Sequence, residues 1–365
     1  MDRRAFLSAS AVAPLLGALP GVGVAQTFAP QPGRWRTFEL VTRVEVAKPA
    51  GITRAWVPVP VVDTDWQKPL SNNWTGNART TEQITDAKYG ASLIYAEWPE
   101  SEKAPVLEVT SRFQTQDRAS DLGRKTAAPG EGPESRAFWT QATDLMPTDG
   151  IVRKTSAEIV RGKNGDLEKV RALYDWVVTN SYREPKVRGC GVGDIRGMLE
   201  TGNLGGKCGD LNGLFVGLAR SAGIPARDIY GIRIAKSGFG YKALSANSPD
   251  VSKAQHCRSE VYLRDHGWVA MDPADVLKVM REETPEWIKT TSNALVVPVN
   301  ARLFGGWEGN WVGYNTAHDV ALPHSKGSKL GFFMYPQAET SDGRLDSLDP
   351  DSFKYRITAR EVPSA

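Results

Sequence analysis

Three side chains in this 365-residue chain have the types and the settings for nucleophilic acyl chemistry: Cys208, His256 and Asp272. Cys208 follows Gly205-Gly206-Lys207. It opens a run in which Leu211, Leu214, Phe215, Leu218, Ala219 and Ala222 recur at helical spacing until Gly223 and Pro225 stop it. The pattern predicts a Cys at a helix N-terminus, where unpaired backbone N–H groups and the positive end of the helix dipole stabilise a thiolate. The thiolate is the nucleophilic form. Two preceding glycines let the loop approach a substrate without side-chain obstruction, and the N–H of Cys208 itself is a candidate donor to a developing oxyanion.

A nucleophile of this kind needs a base, and the base needs an orienting group. Gln255 to Leu263 reads as a strand, with His256, Arg258, Glu260 and Tyr262 on one face and Cys257, Ser259, Val261 and Leu263 on the other. Cys257 therefore points away from His256, into the core. A turn at Asp265-His266-Gly267 leads into Trp268-Val269-Ala270-Met271-Asp272, a second strand ending in a carboxylate. Folding the two into a hairpin brings Asp272 beside His256. The expected set is Cys, His and Asp.

These elements must sit in a larger frame. Forty-one per cent of the residues are hydrophobic and 24% charged, with a net charge of +3, four His and three Cys. That composition excludes disorder, a disulfide-stapled miniprotein and a bulk field that would recruit nucleic acid. Residues 1–25 resemble a twin-arginine export signal: Arg3-Arg4 before Phe6-Leu7, an apolar run broken by Pro14, Gly17 and Pro20, and the small-residue site Gly23-Val24-Ala25. No later segment is apolar for long enough to span a bilayer, so a soluble periplasmic or secreted protein is expected. Period-two patterning over residues 27–120 predicts a β-rich N-terminal domain, followed by a polar linker at 121–135. Residues 136–295 form the expected catalytic domain, in which Asp166 caps an amphipathic helix. Residues 296–365, rich in Gly and aromatics, are expected to pack on it as an extension, with Trp307, Trp311 and Tyr314 walling the cleft. A Cys190–Cys257 bridge is conceivable in an oxidising compartment.

Gly206-Lys207-Cys208-Gly209-Asp210, then Leu214-Phe215, Leu218-Ala219-Arg220 and Ala222-Gly223-Ile224-Pro225-Ala226-Arg227, resembles the catalytic helix of the transglutaminase-like superfamily. The segments around His256 and around Gly267-Trp268 and Asp272-Pro273 resemble its other two blocks. The resemblance covers roughly residues 140–275. It implies an α+β, papain-like fold with the Cys on a helix and the His and Asp on antiparallel strands. It also implies Cys208 as nucleophile, His256 as general base and acid, and Asp272 as the orienting carboxylate, with no cofactor and no metal. Where the family has Ala-Trp after the His, this chain has Cys257-Arg258. Arg258 is therefore expected, with Trp268, at the substrate rim, where a cation would favour acidic or carboxylate-bearing groups. Besides Cys208 itself, the side-chain amide of Asn203 is the expected second oxyanion donor.

By number, Cys190, Cys208, His256 and Cys257 would make a zinc set. No Cys-x₂₋₄-Cys pair exists, however, and adjacent strand residues point to opposite faces. The expected activity is cysteine-dependent acyl transfer on an amide bond of a peptide or protein, with cell-wall peptide among the candidates. A thioester intermediate is resolved by water, as in a peptidase or amidase, or by an amine, as in a transamidase. The alternative is a non-catalytic binding or assembly module that retains the fold.

Overall fold

The computed structural model describes residues 27–126, 130–349 and 353–363. The export segment expected at residues 1–25 lies outside them. The alternating run Arg36–Glu45 is a strand that buries Phe38, Leu40 and Val44. Thr53–Val59, Gln67–Gly76, Thr80–Thr85, Ser92–Trp98 and Val106–Thr115 follow as strands. These six strands are divided between two antiparallel sheets. Val44, Val57, Ile94, Leu107 and Val109 come together in one core cluster, where the apolar face of each sheet finds cover.

The C-terminal residues share the core of the catalytic region and also complete the sheets. Lys354–Val362 pairs antiparallel with Arg36–Glu45, setting Ala359 opposite Leu40 and Ile357 opposite Thr42. Gln337–Thr340 pairs with Thr53–Val59, and Trp311–Asn315 with Ala226–Arg233. The reason is hydrogen bonding: an uncovered edge strand presents a row of unpaired N–H and C=O groups, and the returning chain satisfies them. The expected linker at 121–135 is likewise docked rather than free. Thr126 N–H donates to the Asp265 carbonyl at 2.7 Å, and a helix, Pro133–Thr140, starts within the segment.

The central region is mixed α and β. The helix Asp166–Asn180 buries Val170, Leu173, Tyr174 and Val177, with Gly165 as its cap and Asp166 inside the first turn. The helix Cys208–Ser221 is buried on nearly every side, because it packs between the helices Gly150–Ile159 and Asp166–Asn180 and an antiparallel sheet. That sheet has the order Gly267–Met271, Gln255–Leu263, Ala226–Arg233, Trp311–Asn315. Gly223, at φ 79°, ends the chain's run in this helix. Among the described residues, no helix is long and apolar enough to cross a membrane.

Candidate active site

Cys208 is the first residue of its helix, with Lys207 at the N-cap. The side chain of Asp210 pins the approach. Its Oδ2 accepts the Lys207 N–H at 2.9 Å, and its Oδ1 accepts the N–H groups of Val192 and Gly193 at 2.9 and 2.8 Å. Gly209 N–H donates to the Cys190 carbonyl at 2.8 Å. Two glycines are required by this packing. Gly191 has φ 89°, and a Cβ there would fall inside the Asp210 carboxylate; a Cβ on Gly209 would stand 2.8 Å from the Cys190 carbonyl oxygen. The Gly-rich loop thus brings Cys190 and Cys208 together and leaves the Cys208 thiol at the head of its helix.

The imidazole is positioned from the opposite side. Ladder pairing of the hairpin ends at Ser259 opposite Met271. The next residue, Asp272, leaves the strand to cap the helix Pro273–Glu282, with Oδ1 accepting the Asp275 N–H at 3.1 Å. Its Oδ2 is 2.8 Å from His256 Nε2, a diagonal contact across the extrapolated register. Asn212, one turn into the Cys208 helix, ties the halves together: its Nδ2 donates to the Cys257 carbonyl at 2.8 Å and to Asp272 Oδ1 at 3.2 Å.

A second carboxylate, Asp275, faces the same ring, with Oδ2 3.4 Å from His256 Nε2. It is ion-paired to Arg233, and Arg258 Nε lies 3.5 Å from Asp272 Oδ2. All of these groups are buried. Buried charge must balance, and here it does. An imidazolium and two guanidinium groups stand against two carboxylates and a thiolate. Burial alone would lower the His256 pKa, but Asp275 and Asp272 outweigh it and push it to about 10. Burial likewise opposes ionisation of Cys208. Hydrogen bonds from Cys190, Cys257 and His256 prevail, with the His256 charge adding to them, and hold its thiol well below the usual range. Burial and the neighbouring Asp275 raise Asp272. Asp275 itself is held well below the carboxylate range, against its burial, by Arg233 and His256. With Nε2 committed to Asp272, Nδ1 is the imidazole nitrogen left to exchange a proton with Cys208.

Cys208 and His256 open into one cavity of about 490 Å³, which Cys190, Gln255 and Tyr335 also line. The three cysteines are free and buried, so the conceivable Cys190–Cys257 bridge is not formed; Cys190 Sγ lies 3.3 Å from the Gln255 carbonyl oxygen.

Other expected positions differ. Asn203 is exposed, and its Oδ1 accepts from the Tyr182 hydroxyl at 3.0 Å and from Gly205 N–H at 3.2 Å, so its amide belongs to a surface turn and does not line the cavity. Arg258 is not at the rim. It shares the face of His256, as alternation requires, but that face is covered by Trp307 and Trp311, whose rings lie 5.2 and 4.8 Å from its guanidinium carbon. Trp268 packs on Trp139, Tyr262 and the Arg227 guanidinium, and it too is absent from the cavity wall. Nor do Trp307, Trp311 and Tyr314 wall the cleft. All three are about 1% exposed, and Trp311 Nε1 donates to the His256 carbonyl at 2.8 Å.

The residue reading passed over Asp275, Arg233 and Gln255. Asp275 lay in plain view three residues after Asp272, the spacing that puts two side chains on one helix face. Gln255 carries a buried Nε2 at the cavity wall that has no hydrogen-bond partner among the described residues. Among the described residues, the group of His, Cys, Asp or Glu with ligand atoms close enough for a metal is His256, Asp272 and Asp275, not the cysteine set. The negative charge of those carboxylates is already met by Arg233, Arg258 and the imidazole.

The model of the transglutaminase-like superfamily matches residues 153–273, a span that contains all three expected site residues. An uncharacterized protein of Haemophilus influenzae is 36% identical over 329 residues, covering 86% of this chain and 87% of the relative. The chain belongs to the transglutaminase-like superfamily. Its fold is shared with the crystal structure of a candidate cysteine protease from Cytophaga hutchinsonii, at 13% identity and a TM-score of 0.56, over 92% of this chain and 94% of that one. That overlap includes the β-rich N-terminal region as well as the transglutaminase-like core. Superfamily and fold together support a cysteine-dependent enzyme in general.

Proposed function

We propose that this transglutaminase-like protein is an acyl-transfer enzyme in which the Cys208 thiolate attacks the carbonyl carbon of an amide. The observation that carries the reading is a helix-terminal cysteine whose imidazole partner is braced by two buried carboxylates and faces a cavity. Attack forms a C–S bond and pushes the carbonyl electron pair onto oxygen. The Cys208 N–H is one donor to that oxyanion. The Gln255 amide, orphaned at the cavity wall, is the second in place of Asn203. Collapse breaks the C–N bond while the His256 imidazolium delivers its proton to the departing amine. Asp272 and Asp275 hold the ring and its charge. The resulting thioester is resolved when neutral His256 takes a proton from water or from an amine. Water returns a carboxylic acid and the free thiolate; an amine returns a new amide. The twin-arginine-like residues 3–7 support delivery to the cell envelope, where peptides and proteins are the available amides.

The test is intact mass after incubation with p-nitrophenyl acetate and with unfolded casein, with and without cadaverine. An acetyl adduct on wild type that is absent from Cys208→Ala supports the nucleophile. Casein fragments, or ammonia released without cadaverine incorporation, then mark hydrolysis, and incorporated cadaverine marks transamidation. A wild-type protein that gains no adduct and releases p-nitrophenol no faster than Cys208→Ala refutes the reading and leaves a non-catalytic module.

A further inference from the structure

The cavity that Cys208 opens into is electrically lopsided. Arg183, Lys207, Arg233, Lys253 and Lys278 line it, against one carboxylate, Asp250. Asp250 is already engaged, 2.9 Å from Arg356 and bonded to Ser252. Among the cations, Arg233 is paired with Asp275, and Arg183 with Glu282 at 2.9 Å. Lys207, Lys253 and Lys278 make no ion pair among the described residues, but Lys278 is the one carried on the helix that braces His256. It is only partly exposed, and among the described residues its ammonium makes no hydrogen bond or ion pair. A charge taken largely out of water without a partner is costly.

Its place in the helix is equally specific. Asp272 caps the helix that braces His256, and Asp275 and Lys278 follow at intervals of three residues, so each is a surface neighbour of the one before it. Six residues of helix rise about 9 Å, roughly the length of two to three extended residues. Lys278 lines the same cavity as Cys208, so a substrate lying from Cys208 along that cavity passes its ammonium.

We infer that Lys278 anchors a carboxylate of the substrate, so that the cleft selects acyl donors carrying an anionic group within two or three residues of the amide that Cys208 attacks. This rests on the proposed role of Cys208. It relocates the acidic preference expected of Arg258 to a residue that lines the cavity. The carboxylate is either an acidic side chain or a chain terminus; both offer the same two acceptor oxygens. Burial, with Arg233 and Arg183 nearby and only Asp275 and Glu282 in opposition, lowers the Lys278 pKa to about 8. The anchor is therefore charged at neutral pH and lost above it.

The experiment compares alkylation rates of Cys208 in the full exported protein by matched probes. N-iodoacetyl-diglycine is set against its amide for a terminal carboxylate, and N-iodoacetyl-glutamic acid α-amide against N-iodoacetyl-glutaminamide for a side-chain one. At pH 7 and low salt, at least one carboxylate probe is expected to react about tenfold faster than its neutral match, and the arm that does so identifies the source. The preference falls to within about twofold in Lys278→Met, is kept in Lys278→Arg, and fades between pH 7 and 9. The neutral probe reports whether each variant is folded and its thiolate intact. Should Lys278→Met lose that neutral reactivity, the wild-type salt and pH dependence of the preference decides. Equal rates for both members of both pairs in wild type, or a preference that survives Lys278→Met, overturn the anchor while leaving the nucleophile standing. No labelling of Cys208 by any probe overturns the nucleophile and the anchor with it.

Discussion

Asp272→Asn tests how the thiolate is made. In the structure Asp272 Oδ2 accepts from His256 Nε2 at 2.8 Å, while Oδ1 is taken by Asn212 and the Asp275 N–H. An asparagine keeps its oxygen on the second pair and turns its amide nitrogen toward the ring. That nitrogen is a donor, so Nε2 must become an acceptor and the ring proton moves to Nδ1, the wrong tautomer to take a proton from Cys208. The charge effect points the same way. His256 is lifted from 6.5 to about 10 against its own burial, chiefly by Asp275 and Asp272. Assigning half of the net rise to Asp272 removes about two pKa units, on the order of 2–3 kcal/mol. The thiolate–imidazolium pair then loses ground to the neutral pair by roughly 100-fold. The assay is the iodoacetamide rate on Cys208 from pH 5 to 10. Wild type should react rapidly already at pH 6 and vary little to pH 9. Asp272→Asn should be slower by about two orders of magnitude at pH 6, yet approach wild type near pH 10, where the thiol ionises unaided. A variant equal to wild type at pH 6, or slowed equally at every pH, would refute the reasoning.

Other consequences can be checked with the same protein. Gln255→Ala should slow acylation by p-nitrophenyl acetate about 10- to 100-fold while leaving the iodoacetamide rate unchanged, because alkylation develops no oxyanion; parallel losses would remove Gln255 from the oxyanion site. Gly191→Ala forces a Cβ into the Asp210 carboxylate at a left-handed φ, so chemical denaturation should show a loss of several kcal/mol, roughly 2–4, together with slower labelling; an unchanged midpoint contradicts the packing described. Asp228 is buried, and burial raises its pKa from 3.8 to about 7 against the opposing pull of Arg220 and Tyr230. Its folded pKa lies above its unfolded one, so wild type loses stability as pH rises from about 4 through 7. Asp228→Asn lacks that titration and should gain on wild type by about 2–3 kcal/mol between denaturation at pH 5 and at pH 8; a constant difference between the two pH values would be inconsistent with a neutral buried acid.

The parts of this protein that were readable in its sequence are those that depend on local periodicity. Leu211, Leu214, Phe215 and Leu218 mark one helix face, so Cys208 had to be its first residue. Alternation along Gln255–Leu263 put His256 and Cys257 on opposite faces, and the short turn at Asp265–Gly267 returned the chain to Asp272. Each follows from 3.6- or two-residue repeats within one segment. Alternation also placed Arg258 with His256, but it could not say what lies over that face. Trp307 and Trp311 arrive from about fifty residues on and bury the guanidinium that the sequence put at a rim.

The same limit separates the two expected oxyanion donors. The N–H of Cys208 is fixed by the helix that begins there. The amide of Asn203 points wherever its turn directs it, and Tyr182 and Gly205 hold it at the surface. Lys354–Val362 pairs with Arg36–Glu45 because two edges more than three hundred residues apart happen to complement each other, which no local window contains. The sequence by itself placed Cys208, His256 and Asp272 on their elements, since those positions are set by backbone repeat. Tertiary packing alone decided the charge environment: which of Arg233, Arg258 and Asp275 neutralise one another in the interior, and which cations, Lys278 among them, face the cavity without an ion-pair partner among the described residues. Those outcomes depend on desolvation and on distances between segments remote in the chain.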